Sequence, residues 1–269
     1  MPKIPIKDFH LEHTLSCGQM FRTYKKGKWH YVAARDRIFR VCQSAGQLEF
    51  QGVDREFLTS YFALDEPYPH ILAEINKDSF INEAIGKYRG MRIVRQDAWE
   101  CLISFLCSSA ANIPKIKTNI ESMSQSFGKK ICAFGSEGYA FPNPGTLDDY
   151  DKIVLAKTGF RAKYIKAVNN VVDEPFLSSL KKMPYTEAKK ALKCLPGVGD
   201  KIADCVLLFS LGFTEAFPVD TWMKKILRKW YFNNEDVPEQ QLQDFGIRYF
   251  GKYTGYAQQF LYMVARESR

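Results

Sequence analysis

The stretch Leu195-Pro196-Gly197-Val198-Gly199-Asp200-Lys201-Ile202-Ala203-Asp204-Cys205 decides the fold. Just before it, Glu187-Ala188-Lys189-Lys190-Ala191-Leu192-Lys193 is made of strong helix formers. Pro196 stops that helix, and Gly197 and Gly199 permit positive φ and the close approach of another backbone. Asp200 is a good N-cap for a second helix. The pattern over about 186–212 is therefore helix, glycine turn, helix. It reads either as an ordinary αα-hairpin or as a set of free N–H groups facing a phosphate.

Lys201 falls in the first turn of the second helix, where the helix dipole opposes a positive charge. An uncharged lysine is a nucleophile able to form a Schiff base, and a solvated lysine is the plain alternative. A lone carboxylate follows in Phe217-Pro218-Val219-Asp220-Thr221-Trp222. Asp220 is an N-cap for a helix beginning near Thr221, a carboxylate able to steady an oxocarbenium-like sugar, or both.

The rest of the chain sets limits on this chemistry. With 269 residues, 46% hydrophobic and 25% charged, it suits one large or two smaller domains with packed cores. No run of 18 apolar residues exists, so no membrane span is expected. The start, Met1-Pro2-Lys3-Ile4-Pro5, lacks the apolar stretch of a secretory signal. The net charge of +8 is spread evenly, +4 in residues 1–95 and +4 in 96–269, and favours a polyanionic partner.

Seven cysteines at irregular spacing form no CxxC pair. This fits a reducing compartment and argues against a disulfide frame, a zinc site or an iron–sulfur cluster. All four histidines lie within the first 70 residues, so histidine is not expected beside Lys201.

Residues 1–60 read as strands and turns, with Trp29–Ala34, Arg37–Val41 and Leu48–Phe50 in an antiparallel meander. Helical spacing begins near residue 54, and Glu56, Phe57, Leu58, Tyr61 and Phe62 would share a helix. Asp97 with Glu100 looks like a capping box, and from there the pattern is helical almost throughout. Helices are expected near 115–127, 148–157, 161–172, 176–182, 185–193, 200–211, 219–231, 239–250 and 255–266. The fold class is α+β. A small N-terminal antiparallel β-sheet domain, 1–92, packs on a larger all-helical domain, 93–269.

At this point the residues resemble a known family. Lys193 through Cys205, with Pro218-Val219-Asp220, is similar to the hairpin and aspartate of the helix-hairpin-helix glycosylases. Three further segments look like the 8-oxoguanine DNA glycosylase/AP lyase family within them. These are Cys17-Gly18-Gln19-Met20-Phe21-Arg22, Asp97 through Ser109, and Gly255-Tyr256-Ala257-Gln258-Gln259-Phe260-Leu261-Tyr262.

The resemblance implies roles for particular residues. Lys201 would attack the sugar C1′, and Asp220 would be the catalytic aspartate. Gly18 would accept, through its carbonyl, the N7 proton that 8-oxoguanine has and guanine lacks. Gln258 would read the Watson–Crick edge, and Cys205 and Tyr262 would sandwich the purine. Gly197, Gly199, Asn112, Lys115, Phe160, Arg161 and Trp222 would contact DNA. Phe160 would fill the gap left by the extruded base, and Arg161 would contact its orphaned partner. The backbone carbonyls of Lys193, Leu195 and Val198 would hold a monovalent or calcium ion at the hairpin.

The family places asparagines after the Cys-Ser-Ser step and an arginine beyond them; here stand Ala110, Ala111, Asn112 and Lys115. Weaker reading of the opposite base is the expectation. Taken together, the resemblance implies a monomeric enzyme that removes 8-oxoguanine from duplex DNA and nicks the strand. It would need no redox or organic cofactor and no iron–sulfur cluster. Its expected location is the cytoplasm, nucleoid-associated, in a prokaryote. The alternatives are a related glycosylase for another damaged or mismatched base, and a non-catalytic DNA-binding module.

Overall fold

β1 (Lys3–Pro5), β2 (Thr23–Lys26), β3 (Trp29–Ala34), β4 (Arg37–Ser44) and β5 (Gln47–Gln51) form an antiparallel sheet in the order β1-β5-β4-β3-β2. This is a computed structural model, and it describes residues 1–267. The expected meander is present: Lys26 pairs with Trp29 across the Gly27-Lys28 turn, and Ile4 on β1 pairs with Leu48 on β5.

Both faces of the sheet are covered. Phe39, Val41, Leu48 and Phe50 face a core completed by Leu11 and Leu15 of α1 (Leu11–Ser16) and Leu58 of α2 (Arg55–Tyr61). On the other face, Trp29, Tyr31, Ile38 and Cys42 meet Ile131, Ala133 and Phe134. Those last residues belong to a second hairpin, β6 (Lys130–Ala133) paired with β7 (Ser136–Tyr139). This corrects the expectation of helix almost throughout beyond Asp97. The hairpin exists because it shields the sheet: the Arg40 guanidinium lies between the rings of Trp29 and Phe134, 4.6 and 4.7 Å from their centroids.

α3 (Tyr68–Ile75) and α4 (Ser79–Tyr88) turn away from the sheet. Their Tyr68, Ile71, Ile81 and Ala84 join the larger core with Trp99, Tyr256 and Phe260, so hydrophobic packing runs continuously across residue 92. α5 (Ala98–Leu106) begins at Asp97, whose Oδ1 accepts the Glu100 N–H at 2.9 Å. Glu100 does not complete a capping box. Its carboxylate accepts from the Arg35 N–H at 2.7 Å and from Arg22 at 3.4 Å, fastening α5 to the sheet.

The helices α6 (Ile113–Phe127), α7 (Tyr150–Leu155), α8 (Ala162–Asn169), α9 (Glu174–Leu180) and α10 (Tyr185–Lys193) follow. α11 (Asp200–Val206) continues as a π turn over Leu207–Leu211, where the Phe209 carbonyl accepts from the Gln96 N–H. Then come α12 (Thr221–Tyr231), α13 (Glu239–Phe250) and α14 (Thr254–Glu267). α5 packs on α11, and α14 packs on α12. That arrangement brings the end of α5, the starts of α11 and α12, and one face of α14 around a common space. Among the described residues no helix is long and apolar enough to cross a membrane.

Candidate active site

The glycine turn is built as the sequence suggests at one glycine and not at the other. Gly197 has φ +80°, and a Cβ there would lie 2.6 Å from Cγ of Tyr164. Left-handed backbone and a ring against the chain together demand glycine. Gly199 has φ −97°, an extended conformation open to any residue. It, and not Asp200, is the N-cap of α11, and it offers no side-chain hydrogen bond. Asp200 is instead the first helical residue. Its carboxylate pairs with Lys193 at 2.8 Å and with Lys189 at 3.3 Å. The first amides of α11 are therefore left without a side-chain cap beside an open space.

A cleft of about 1060 Å³ opens at this point. Lys201, Asp220, Gly18, Gln258, Cys205 and Tyr262 all line it. They come from α11, the start of α12, the loop after α1, and α14. Gly197, Gly199, Asn112 and Trp222 also line it, while Lys115, Phe160 and Arg161 lie outside.

The Lys201 ammonium donates to Ser108 Oγ at 2.9 Å and stands 4.8 Å from the Phe105 ring centroid. Ser108 gives its own proton to the Phe105 carbonyl at 2.6 Å, so a hydroxyl lone pair faces the lysine. Asp220 is half-buried and caps α12: its Oδ1 accepts from the Trp222 and Met223 N–H groups, both at 2.9 Å. The cap holds one carboxylate oxygen in place and leaves Oδ2 free of a hydrogen bond among the described residues.

Burial pushes the Cys205 thiol up to about 12, with Lys201 pulling the other way, so it is a neutral wall near pH 7. Burial also raises the Tyr262 phenol. Gln258 is 4% exposed, and its Oε1 is buried without a hydrogen-bond partner among the described residues. A buried amide oxygen with no donor is an acceptor left unmet. Gly18 has φ +81°, and a Cβ there would lie 3.0 Å from the Tyr262 hydroxyl.

At Arg161 the structure differs from the sequence expectation. Arg161 is not free to contact a base. It is 6% exposed, its Nε donates to the Ser109 carbonyl at 2.7 Å, its Nη2 donates to the same oxygen, and its Nη1 donates to the Thr158 carbonyl. Two backbone carbonyls occupy the guanidinium fork, so Arg161 braces the turn that carries Ser108. Phe160 beside it is 57% exposed. Asn112 caps α6 by accepting from the Lys115 N–H at 3.0 Å.

A family model for the N-terminal domain of 8-oxoguanine DNA glycosylase matches residues 2–102. The N-glycosylase/DNA lyase OGG1 of Arabidopsis thaliana is 32% identical over 97% of this chain and 79% of its own. The chain belongs to this 8-oxoguanine DNA glycosylase family. A probable N-glycosylase/DNA lyase of Methanothermobacter thermautotrophicus is 27% identical over 99% of this chain and 96% of its own. Among solved structures, the 8-oxoguanine glycosylase/lyase of Clostridium acetobutylicum, in complex with double-stranded DNA containing cytosine opposite 8-oxoG, superposes with a TM-score of 0.93. It is 32% identical and covers 100% of this chain and 98% of that one.

Within this family member, two site residues escape a reading of the sequence. Ser108 is visible there only as part of a helix, because its hydrogen bond to Lys201 spans 93 positions and leaves no local trace. Asp204 does leave one: a carboxylate among Ile202, Ala203, Cys205 and Val206 must be buried and therefore paired. It is fully buried, accepting from Tyr185 at 2.7 Å, Lys189 at 3.0 Å and Gln243 at 2.5 Å.

Proposed function

We propose that the protein excises 8-oxoguanine from duplex DNA and then nicks the abasic strand. The observation that carries this reading is the meeting of Lys201, Asp220 and Gln258 in one cleft. The damaged nucleotide leaves the stack, because no side chain reaches C1′ inside a duplex. Phe160 fills the gap, and the uncapped amides of α11 receive a backbone phosphate.

In the cleft, Cys205 and Tyr262 flank the purine, and Gln258 Oε1 accepts from its Watson–Crick edge. The Gly18 carbonyl accepts the N7 proton. Guanine presents a lone pair there and is repelled. The Lys201 ammonium first loses a proton to solvent. The free amine forms a bond to C1′ as the glycosidic C–N bond breaks, the electron pair leaves with the base, and the base takes up a proton released by the Lys201 nitrogen. Asp220 steadies the cationic sugar. The nitrogen lone pair then opens the sugar ring: the C1′–O4′ bond breaks, O4′ takes up the nitrogen's remaining proton, and an imine between Lys201 and C1′ is left. Loss of a C2′ proton expels the 3′ phosphate, completing β-elimination.

No external cofactor enters this sequence. The hairpin cation is a separate proposal. The Lys193 and Val198 carbonyls have no hydrogen-bond donor among the described residues, and the Leu195 carbonyl accepts only from the Val198 N–H at 3.1 Å. Neutral oxygens of this kind fit a monovalent ion better than calcium, which favours carboxylates. The proposed setting is a monomer acting on chromosomal DNA in the cytoplasm.

Borohydride trapping tests the catalytic reading: with an 8-oxoguanine duplex a covalent protein–DNA adduct is expected. Base release without an adduct would point to a simple glycosylase, and neither product to a binding module.

A second prediction concerns the orphaned base. Ala110 offers no hydrogen bond, Lys115 has no planar fork, and the Arg161 guanidinium is spent on the Ser109 and Thr158 carbonyls. Each good bidentate base contact is worth about 1–3 kcal/mol of discrimination. Without one, excision opposite C, A, G and T is expected to agree within roughly tenfold. Single-turnover rates on the four duplexes check this, and a preference for C above about a hundredfold would contradict it.

A further inference from the structure

The loop over residues 17–22, between α1 and β2, has no secondary structure of its own to set the direction of its carbonyls. Side chains from elsewhere take that part. The Ser16 carbonyl accepts from Arg266 Nη1 at 3.0 Å, the Cys17 carbonyl from Gln259 Nε2 at 2.6 Å, and the Gln19 carbonyl from Gln96 Nε2 at 2.6 Å. The carbonyl between them, on Gly18, has no donor among the described residues, and Gly18 lines the cleft.

The root of the loop is equally fixed. Gln19 is fully buried, donating to the Thr14 and Arg92 carbonyls and accepting from the Val94 N–H. Gln259 is 2% exposed, so its hold on Cys17 is shielded from water. Two of the three holding side chains lie on α14, the helix that also carries Gln258 and Tyr262. Tyr262 packs over Gly18, and the Arg266 guanidinium lies 5.5 Å from the Tyr262 ring centroid.

We propose that Gln259 and Arg266 are positioning residues for base recognition, fixing the Gly18 carbonyl to the same helix that presents Gln258 and Tyr262. The inference rests on the proposed function. Discrimination by one hydrogen bond is only as sharp as the placement of its acceptor, since such bonds weaken steeply outside about 2.7–3.2 Å and away from linear geometry. A loop free to shift by about 1 Å would forfeit it. Joining loop and helix through residues 242 positions apart makes the two walls of the pocket one rigid body.

The test separates base recognition from the later chemistry. Gln259→Met keeps the volume and removes the donor; Arg266→Met removes the second donor, and Arg266→Lys keeps it. Two reactions are measured for each variant: the second-order rate of base release from a duplex carrying 8-oxoguanine, and nicking of a preformed abasic site, which holds no base. Gln259→Met is expected to lose about 10- to 100-fold in base release while abasic-site nicking stays within about twofold of wild type. Arg266→Met shows the same split more weakly, and Arg266→Lys restores base release. Equal losses in both assays, or undiminished base release by folded Gln259→Met, would overturn the positioning role. The wild-type control keeps the two readings apart, because its own failure to release 8-oxoguanine refutes the proposed function.

Discussion

Lys201→Gln abolishes the borohydride-trapped adduct and lowers base release by about 10³-fold or more. The other lysine lining the cleft, Lys224, is paired with Glu239. Cys205 is the nearest other nucleophile by type, and burial holds it as an unreactive thiol near neutral pH. The Ser108 hydroxyl already donates to the Phe105 carbonyl. The substitution is mild for the fold: Lys201 is half-buried, it touches the Ser108 hydroxyl, the Phe105 ring face and the Cys205 thiol, and a glutamine amide still reaches a hydroxyl. Thermal stability should therefore stay within about 1 kcal/mol of wild type. Denaturing gels after borohydride, beside a melting curve, check both halves. A full-strength adduct from Lys201→Gln would remove this residue from the mechanism.

Asp204→Ala has the largest expected effect on stability. Asp204 is fully buried one residue before Cys205, and its carboxylate gathers Tyr185, Lys189 and Gln243. Burial pushes its carboxyl up, and the Lys189 ammonium pulls it back down. Alanine leaves that ammonium, 14% exposed, facing one partner fewer, and takes one acceptor each from the Tyr185 phenol and the Gln243 amide. Breaking a buried pair from one side costs about 3–5 kcal/mol. For a chain of this size that is a fall in Tm of roughly 10 °C.

The effect extends to the site. Gln243 also donates to the Phe217 carbonyl at 2.9 Å, in the segment that leads to Asp220. Asp204 thus ties α11, which carries Lys201, to the approach to Asp220. Excision by the surviving folded protein should fall as well. Differential scanning calorimetry gives the answer, and a Tm within about 2 °C of wild type would show that the network is dispensable.

The central helices and the site were legible for identifiable reasons. The hairpin is written in local chemistry: helix formers, a proline stop, and a glycine that only a left-handed turn and the Tyr164 ring explain. Asp220 was readable as a cap because capping is local, and it is one. The β6–β7 hairpin was not legible. Its strands are four residues each, and its reason for existing is the apolar face of a sheet some hundred positions earlier.

Arg161 shows the same limit at the site. Its type suggested a base contact, but the Ser109 and Thr158 carbonyls claim it, and no pattern near Arg161 announces that. The exchange of roles at Asp200 and Gly199 has a similar cause: two lysines on α10 draw the carboxylate away from the cap.

The most direct measurement is release of the free base by the wild-type protein, followed by mass spectrometry, from matched duplexes carrying 8-oxoguanine or guanine at one position. Gly18, Gln258 and Lys201 around one cleft predict free 8-oxoguanine from the first duplex and no guanine from the second. Release of guanine at a comparable rate, or no 8-oxoguanine at all, would contradict the account.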